Sequence, residues 1–309
     1  MIDCLHRHPM RTTDTPSPQL RSWWQRRRDP PSFRLQERDI DIIRAVFMHR
    51  FLQPAHIHAL FAGSEENLAR RCRLLWQHFY LERPIAARPL KALTEEVVYA
   101  LGRKGAALLQ HFDPKLRVAD LEWTAPPERQ IGWPFIDHQL GIATFMLCMR
   151  LACKEKGIRF EWDGHHNRRK HRLEIGKRKY LQPDAYFVLE TRDRRRLHHF
   201  LEFDRGNVSL ERMRQRYWAY FHWWKRAPAG FKNVRVVTVA TNEAHMNALK
   251  RAASEVGRDA RFQTGWRGFL FLCSPELELK QAGDSLTHLF PYPIRSCDTF
   301  PNLPLDADE

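Results

Sequence analysis

The sequence predicts an α+β protein in two parts: an N-terminal unit of helices with a β-hairpin, followed by a three-layer α/β domain around a mixed central sheet. Two patterns support this prediction. Apolar residues recur at helical spacing between residues 35 and 80, and strand-like and helical segments alternate between residues 137 and 273. The length of 309 residues is sufficient for two domains with separate cores.

Composition sets the boundaries of these parts. A linker is predicted at 113–134, where proline and glycine are frequent, between units at 34–112 and 135–290. Residues 1–33 are predicted to form a disordered basic arm, and residues 291–309 an irregular tail.

Three helices are predicted in the first unit. The first follows Leu35, the second spans residues 53–61, and the third spans residues 65–80 after a turn at Gly63. The apolar stripes of the first and third helices are Ile40, Ile43, Phe47 and Phe51, and Leu68, Cys72, Leu75 and Phe79. Strand-like segments at 84–91 and 93–101 follow, and a short helix opens at Gly102. This order is typical of a winged helix, a helix-turn-helix variant whose last helix enters the major groove of DNA.

Positive charge is concentrated in two regions of the chain. Of the formal net charge of +15, residues 1–111 hold 18 Lys and Arg against 11 Asp and Glu, and residues 159–226 hold 18 against 9. Such clustering favours contact with a polyanion, and double-stranded DNA is the predicted partner. The predicted DNA contacts in the first unit are Arg70, Arg71 and Arg73 on the third helix, with Arg103 and Lys104. A helical module that contacts only protein is the alternative.

The second domain is predicted from alternating elements. Helices are predicted at 137–156, 209–225 and 242–256, and strands at 158–162, 180–189, 197–204, 234–241 and 268–273. Between the first two strands lies a basic segment containing Arg168, Arg169 and Lys170. Residues 168–179 and 192–196 are predicted to form a basic belt that contacts backbone phosphates.

Three acids lie in the strand-like segments of this domain: Asp184, Glu202 and Asp204. Glu202 and Asp204 share one face of a strand, because side chains alternate along it. Buried carboxylates are costly unless they bind a metal, a proton or a cation. If the three converge, they could bind Mg²⁺ or Mn²⁺ and activate water against a phosphodiester. The alternative is that arginines such as Arg216 pair with the acids and stabilise the sheet.

Two further residues complete the candidate catalytic set. His138 begins a helix and could approach the acids as a metal ligand or a phosphate contact. Arg216 lies about 60° from the apolar stripe of the helix after Asp204, so it could lean toward the sheet. An arginine stays protonated, and Arg216 therefore cannot serve as a base.

Cysteine spacing and hydropathy exclude other classes. The six cysteines show no C-x-x-C pair, which predicts reduced core residues and no zinc site. No apolar run approaches the ~20 residues of a membrane span, and no signal-like apolar core opens the chain. We therefore expect a cytoplasmic protein without a membrane partner.

The acidic motif resembles the PD-(D/E)XK nuclease-like fold, which usually has a lysine where this chain has Asp204. Further segments carry a wider resemblance; they are 35–39, 49–52, 69–75, 99–106, His138, Pro183-Asp184, 201–206, Leu210 to Arg216 and Tyr220. In their order and spacing the chain resembles the replication-relaxation family of plasmids and mobile elements over roughly residues 35–250. It departs from that family at Arg216, where lysine is expected, and at Asn207-Val208, where Thr-Glu is usual.

This resemblance implies a DNA-binding accessory role in plasmid replication, relaxation or mobilisation, with relaxase or replication proteins as possible partners. Two other functions stay open. One is a Mg²⁺-dependent endonuclease or nickase that uses the three acids as ligands. The other is a transcriptional regulator or protein-interaction adaptor whose nuclease-like domain only binds partners.

Overall fold

The computed structural model describes residues 25–84, 97–116, 121, 131–191, 194–231, 234–258 and 268–273. Most of the predicted arm, much of the predicted linker and the whole predicted tail therefore lie outside the described residues. The α+β class is confirmed, because helices surround a mixed five-stranded sheet in the described part of the chain.

Within the described residues, the N-terminal unit contains four α-helices and a small antiparallel sheet. The helices are α1 (Glu37–His49), α2 (Pro54–Leu60), α3 (Glu65–Gln77) and α4 (Arg103–Phe112). Strand β1 (Leu81–Glu82) pairs with β2 (Ala100–Leu101), and Leu52 forms an isolated bridge with Tyr99 beside β2. Most of the predicted hairpin, residues 85–96, lies outside the described residues.

The α/β unit is built on a mixed five-stranded sheet. Its elements in chain order are α5 (Trp133–Lys156), β3 (Arg159–Glu161), a 3-10 helix (His165–His171), β4 (Leu173–Gly176), β5 (Lys179–Leu181), β6 (Ala185–Glu190), β7 (Arg196–Asp204), α6 (Leu210–Arg226), a 3-10 turn (Ala229–Phe231), β8 (Val234–Ala240), α7 (Glu243–Arg258) and β9 (Phe269–Cys273). The main sheet has the strand order β3-β6-β7-β8-β9. Strands β3, β6 and β7 pair antiparallel, whereas β7, β8 and β9 run parallel.

The prediction of a single strand over residues 180–189 is wrong. The chain instead forms β5, which pairs with β4 in a separate hairpin, and then β6, which joins the main sheet. The break falls at Gln182-Pro183-Asp184. Proline cannot donate a hydrogen bond to a sheet ladder, so pairing is interrupted there. The break leaves Asp184 at the start of β6, next to the end of β7.

Helix α5 belongs to the cores of both units. Phe145 and Met146 pack against the sheet, whereas Ala143 and Leu147 join the core of the helical unit. A Cβ at Gly141 would lie 2.3 Å from the ring of Phe203, so glycine permits the close approach of α5 to β7. A helix that is buried on most of its surface lies between packed layers rather than at an edge.

A hydrogen-bond chain also joins the two units through α5. The backbone N–H of Gln53 donates to Nδ1 of His56 at 3.0 Å, and Nε2 of His56 lies 2.9 Å from Oγ1 of Thr144. Thr144 in turn donates to the carbonyl of Leu140. This order requires a neutral imidazole that donates from Nε2. Burial lowers the pKa of His56 to about 4, which keeps the ring neutral near pH 7.

Candidate functional site

The three predicted acids lie near the end of β7, where β6 begins. Ala185 pairs with Leu201 in the antiparallel register of β6 and β7, and the N–H of Asp184 donates to the carbonyl of Leu201. Extending this register by one residue brings Asp184 opposite Glu202. The pairing of β6 with β7 therefore places the backbones of these two acids side by side.

Glu202 is held by two side chains of α6. Its Oε1 accepts hydrogen bonds from the guanidinium of Arg216 and the hydroxyl of Tyr220. Arg216 also donates to the carbonyl of Gln182 at 2.9 Å, which connects α6 to the break before β6. Glu202 is only 4% exposed, and burial raises its pKa to about 7, with Asp184 adding to the rise and Arg216 opposing it.

Asp204 is held by a histidine that the sequence patterns did not single out. Its Oδ2 lies 2.9 Å from Nε2 of His245 on α7, and its Oδ1 accepts the N–H of Gly206 at 2.8 Å. His245 is placed by the start of α7, where Asn242 accepts its backbone N–H. The signal available in the sequence was this Asn cap directly after β8, because parallel strands β7 and β8 end at the same edge of the sheet.

Asp184 contacts the opposite layer of the domain. Its Oδ1 lies 3.2 Å from Nε2 of His138 on α5, and its Oδ2 accepts the backbone N–H of Phe203 at 2.9 Å. His138 therefore lies within hydrogen-bonding distance of one of the three acids. The carboxylates of Asp184 and Glu202 are directed to different layers, α5 and α6 respectively.

The three acids thus have three separate sets of partners. Across the described residues, no group of three or more His, Cys, Asp or Glu side chains is arranged to hold a metal ion. The arrangement in the structure satisfies each carboxylate with a cation, a hydroxyl, an imidazole or a backbone N–H. Such an arrangement gives each carboxyl group its own hydrogen-bond partners and does not present a shared oxygen site of the kind that Mg²⁺ prefers.

The predicted DNA contacts of the N-terminal unit fall into two groups. Arg70 and Arg73 are exposed on α3, and Arg103 and Lys104 are exposed at the start of α4. Arg71 is different, because it is paired with the buried Asp39 of α1 and also donates to the carbonyl of Arg34. Its guanidinium holds α1 and α3 together and is therefore not displayed to solvent like those of its neighbours.

The predicted basic belt borders the acidic site. Arg169 and Lys170 are exposed, whereas the half-buried Arg168 lines a narrow cleft with Asp184 and His165. The amide of Gln182 donates to the carbonyl of Arg168 at 2.8 Å, which fixes the 3-10 helix against the break before β6. Of the second part of the belt, residues 192–193 lie outside the described residues, and Arg196 pairs with Glu161 and Glu190. No helix in the described part of the chain is long and apolar enough to cross a membrane.

Comparison with known proteins identifies the family. A family model described as replication-relaxation matches residues 43–234, which run from the middle of α1 to the first residue of β8. Searches among curated proteins and among solved structures found no significant match. Because the family model covers more than half of the 309 residues, the chain belongs to the replication-relaxation family.

Proposed function

We propose that this protein is a DNA-binding accessory protein of plasmid or mobile-element replication, relaxation or mobilisation. In this proposal the N-terminal unit is a winged helix that binds duplex DNA through α3. The α/β unit is a PD-(D/E)XK-like domain that contacts the DNA backbone and does not cut it. Relaxase or replication proteins are the partners that such an accessory role requires.

The observation that carries the proposal is that α3 is amphipathic, with one apolar face and one basic face. Its inner face, with Leu68, Cys72 and Leu75, is buried in the core of the N-terminal unit. Its outer face presents Arg70 and Arg73 to solvent. The order of α1, α2 and α3, followed by the pairing of β1 with β2, supports a winged helix, in which the third helix is the one that enters the major groove.

The Arg70→Ala/Arg73→Ala double variant tests DNA binding by α3. We expect weaker binding to duplex DNA and a slope of log K against log salt that is smaller by about 1.8, since two phosphate contacts are lost. Fluorescence anisotropy at several salt concentrations measures both. Lys250→Ala/Arg251→Ala removes two exposed charges from α7 and serves as the matched control. Equal losses in the two variants would show that α3 has no special role.

The state of the acids supports a binding role for the α/β unit. A carboxylate oxygen of Glu202 accepts hydrogen bonds from Arg216 and Tyr220, and a carboxylate oxygen of Asp204 is paired with the imidazole of His245. Hydrolysis assisted by a metal needs both a charge clamp and a positioned water. Asp204 lies where related nuclease-like folds usually have a lysine that orients the water. Its carboxylate is paired with the imidazole of His245, which argues against a role for Asp204 in clamping a metal ion or positioning a water.

A Mg²⁺-dependent endonuclease is the second candidate, and the cross-strand placement of Asp184 opposite Glu202 favours it. Incubation of supercoiled plasmid with the protein and Mg²⁺ or Mn²⁺ distinguishes the two functions. We expect no nicking above that of an Asp184→Asn variant, in which the amide oxygen can still accept the N–H of Phe203. Nicking by the native protein that the variant lacks would establish the endonuclease instead.

A further inference from the structure

The β4–β5 hairpin stands apart from the main sheet and carries a dense positive charge. Residues 168–180 contain seven Lys or Arg and one acid, Glu174. The turn residues Lys177 and Arg178 and the following Lys179 are all exposed. Arg178 has a φ of 58°, a left-handed conformation that closes the turn. The hairpin therefore presents a compact cationic tip to solvent.

The inner face of the hairpin is anchored to the α/β unit. Leu173 and Leu181, which pair across the two strands, are buried with Met213 of α6 in one apolar cluster. Arg226 of α6 donates to the carbonyl of Ile175 at 3.0 Å. Because these contacts fix the orientation of the hairpin on the α/β unit, its outer face is held in a defined position.

The outer face carries an aromatic ring beside a guanidinium. Tyr180 is 48% exposed, and the Cζ atom of Arg172 lies 4.2 Å from the centroid of its ring. Glu174 lies directly opposite Tyr180 in the register. A half-exposed tyrosine in a strongly basic setting combines the two features that bind unpaired nucleotides, namely a stacking surface and cations for the backbone.

We infer that the β4–β5 hairpin is a binding site for single-stranded DNA, with Tyr180 stacking on an unpaired base and Lys177, Arg178 and Lys179 contacting the backbone. In a duplex the faces of the bases are covered by their neighbours, so an isolated tyrosine gains little there. Glu174 beside the ring weakens phosphate binding at that point and directs the backbone toward the tip. This site lies on a different element from the duplex site proposed for α3 and does not depend on it.

The test compares a labelled oligothymidylate with a labelled mixed-sequence duplex in anisotropy titrations of the full chain. Tyr180→Ala should weaken binding of the oligothymidylate by about 5- to 150-fold, the range for loss of one stacked base, and change duplex binding less than about 2-fold. Tyr180→Phe retains the ring and should bind the oligothymidylate like the native protein. Unchanged duplex binding also shows that the variant is folded.

Phe112 offers a matched control elsewhere on the surface. It is 51% exposed, and the Cζ atom of Arg44 lies 5.2 Å from its ring centroid, but it ends α4 rather than a basic hairpin. Phe112→Ala should therefore leave oligothymidylate binding unchanged. The inference is overturned if the native protein fails to bind the oligothymidylate, if Tyr180→Ala has no effect, or if Phe112→Ala weakens binding equally. None of these results would affect the α3 proposal, which the Arg70→Ala/Arg73→Ala double variant tests on duplex DNA.

Discussion

Two buried carboxylate–arginine pairs, one in each region of the protein, differ in how the carboxylate is satisfied. In the helical unit, both oxygens of Asp39 accept hydrogen bonds, from Arg71 and from the backbone N–H of Gln36. In the sheet, Arg216 and Tyr220 both donate to the same oxygen of Glu202. Both carboxylates are almost fully buried, at 0% and 4% exposed.

The setting in the fold explains why these pairs differ. Asp39 lies in the first turn of α1, where the helix dipole and free N–H groups favour negative charge. Glu202 lies within a central strand, and sheets have only small net dipoles. Burial accordingly raises the pKa of Glu202 to about 7, so its proton is exchanged near neutral pH. The comparison indicates that the first pair fixes the fold, whereas the second leaves a titratable group within the candidate site.

The largest expected effect follows from removing the arginine of the first pair. Arg71→Ala leaves Asp39 buried without its cation, and we expect a loss of about 3–5 kcal/mol in the free energy of unfolding. Urea unfolding measures it. Arg70→Ala changes the adjacent exposed residue of α3 and should cost no more than about 0.5 kcal/mol. Similar losses in the two variants would contradict a structural role for the Asp39–Arg71 pair.

Removing the arginine of the second pair should have a smaller effect that depends on pH. Arg216 lowers the pKa of Glu202, so in Arg216→Met this pKa rises beyond about 7. When folding raises the pKa of a carboxyl group, the group stabilises the folded protein fully at pH values below the pKa that it has in the unfolded chain. This stability is lost as the pH rises through the pKa that the group has in the folded protein. Between about pH 4.5 and 7 both proteins lose this stability in parallel. Above pH 7 only the variant continues to lose it.

The cost of Arg216→Met should therefore be constant from pH 5 to 7 and should grow above pH 7 by up to about 1.4 kcal/mol per pH unit. Chemical unfolding at pH 6 and pH 8.5 tests this prediction. Lys225→Met removes an exposed cation from the same helix and controls for general charge effects. An equal cost of Arg216→Met at both pH values would mean that Glu202 does not titrate in this range.

The smallest expected effect concerns the hydroxyl of Tyr220. Tyr220→Phe keeps the buried ring but removes the hydrogen bond to Glu202, and we expect a loss of about 1–2 kcal/mol. Tyr217→Phe is the matched control, since its hydroxyl donates to Thr238, a neutral partner, at 3.3 Å. Thermal unfolding should show the larger loss for Tyr220→Phe. A larger loss for Tyr217→Phe would contradict the special role of Glu202.

Local patterns in the sequence predicted most of the helices and several strands. Apolar residues at helical spacing located α1, α3 and α6, and the apolar segments at 197–204 and 234–241 became β7 and β8. The neighbouring backbone positions of Asp184 and Glu202 follow from the pairing of β6 with β7. The pattern missed the β4–β5 hairpin, because its strands of four and three residues are too short to show a clear alternation.

The sequence by itself determined which residues are buried along each helix and strand, since this depends on periodicity within a single element. It also determined that three acids must be placed in or beside the sheet. Only the tertiary structure decided which partner satisfies each acid. Arg71 reaches Asp39 across 32 positions, and His245 reaches Asp204 across 41. These partners come from different elements, so the choice of partner depends on how the helices pack against each other and against the sheet.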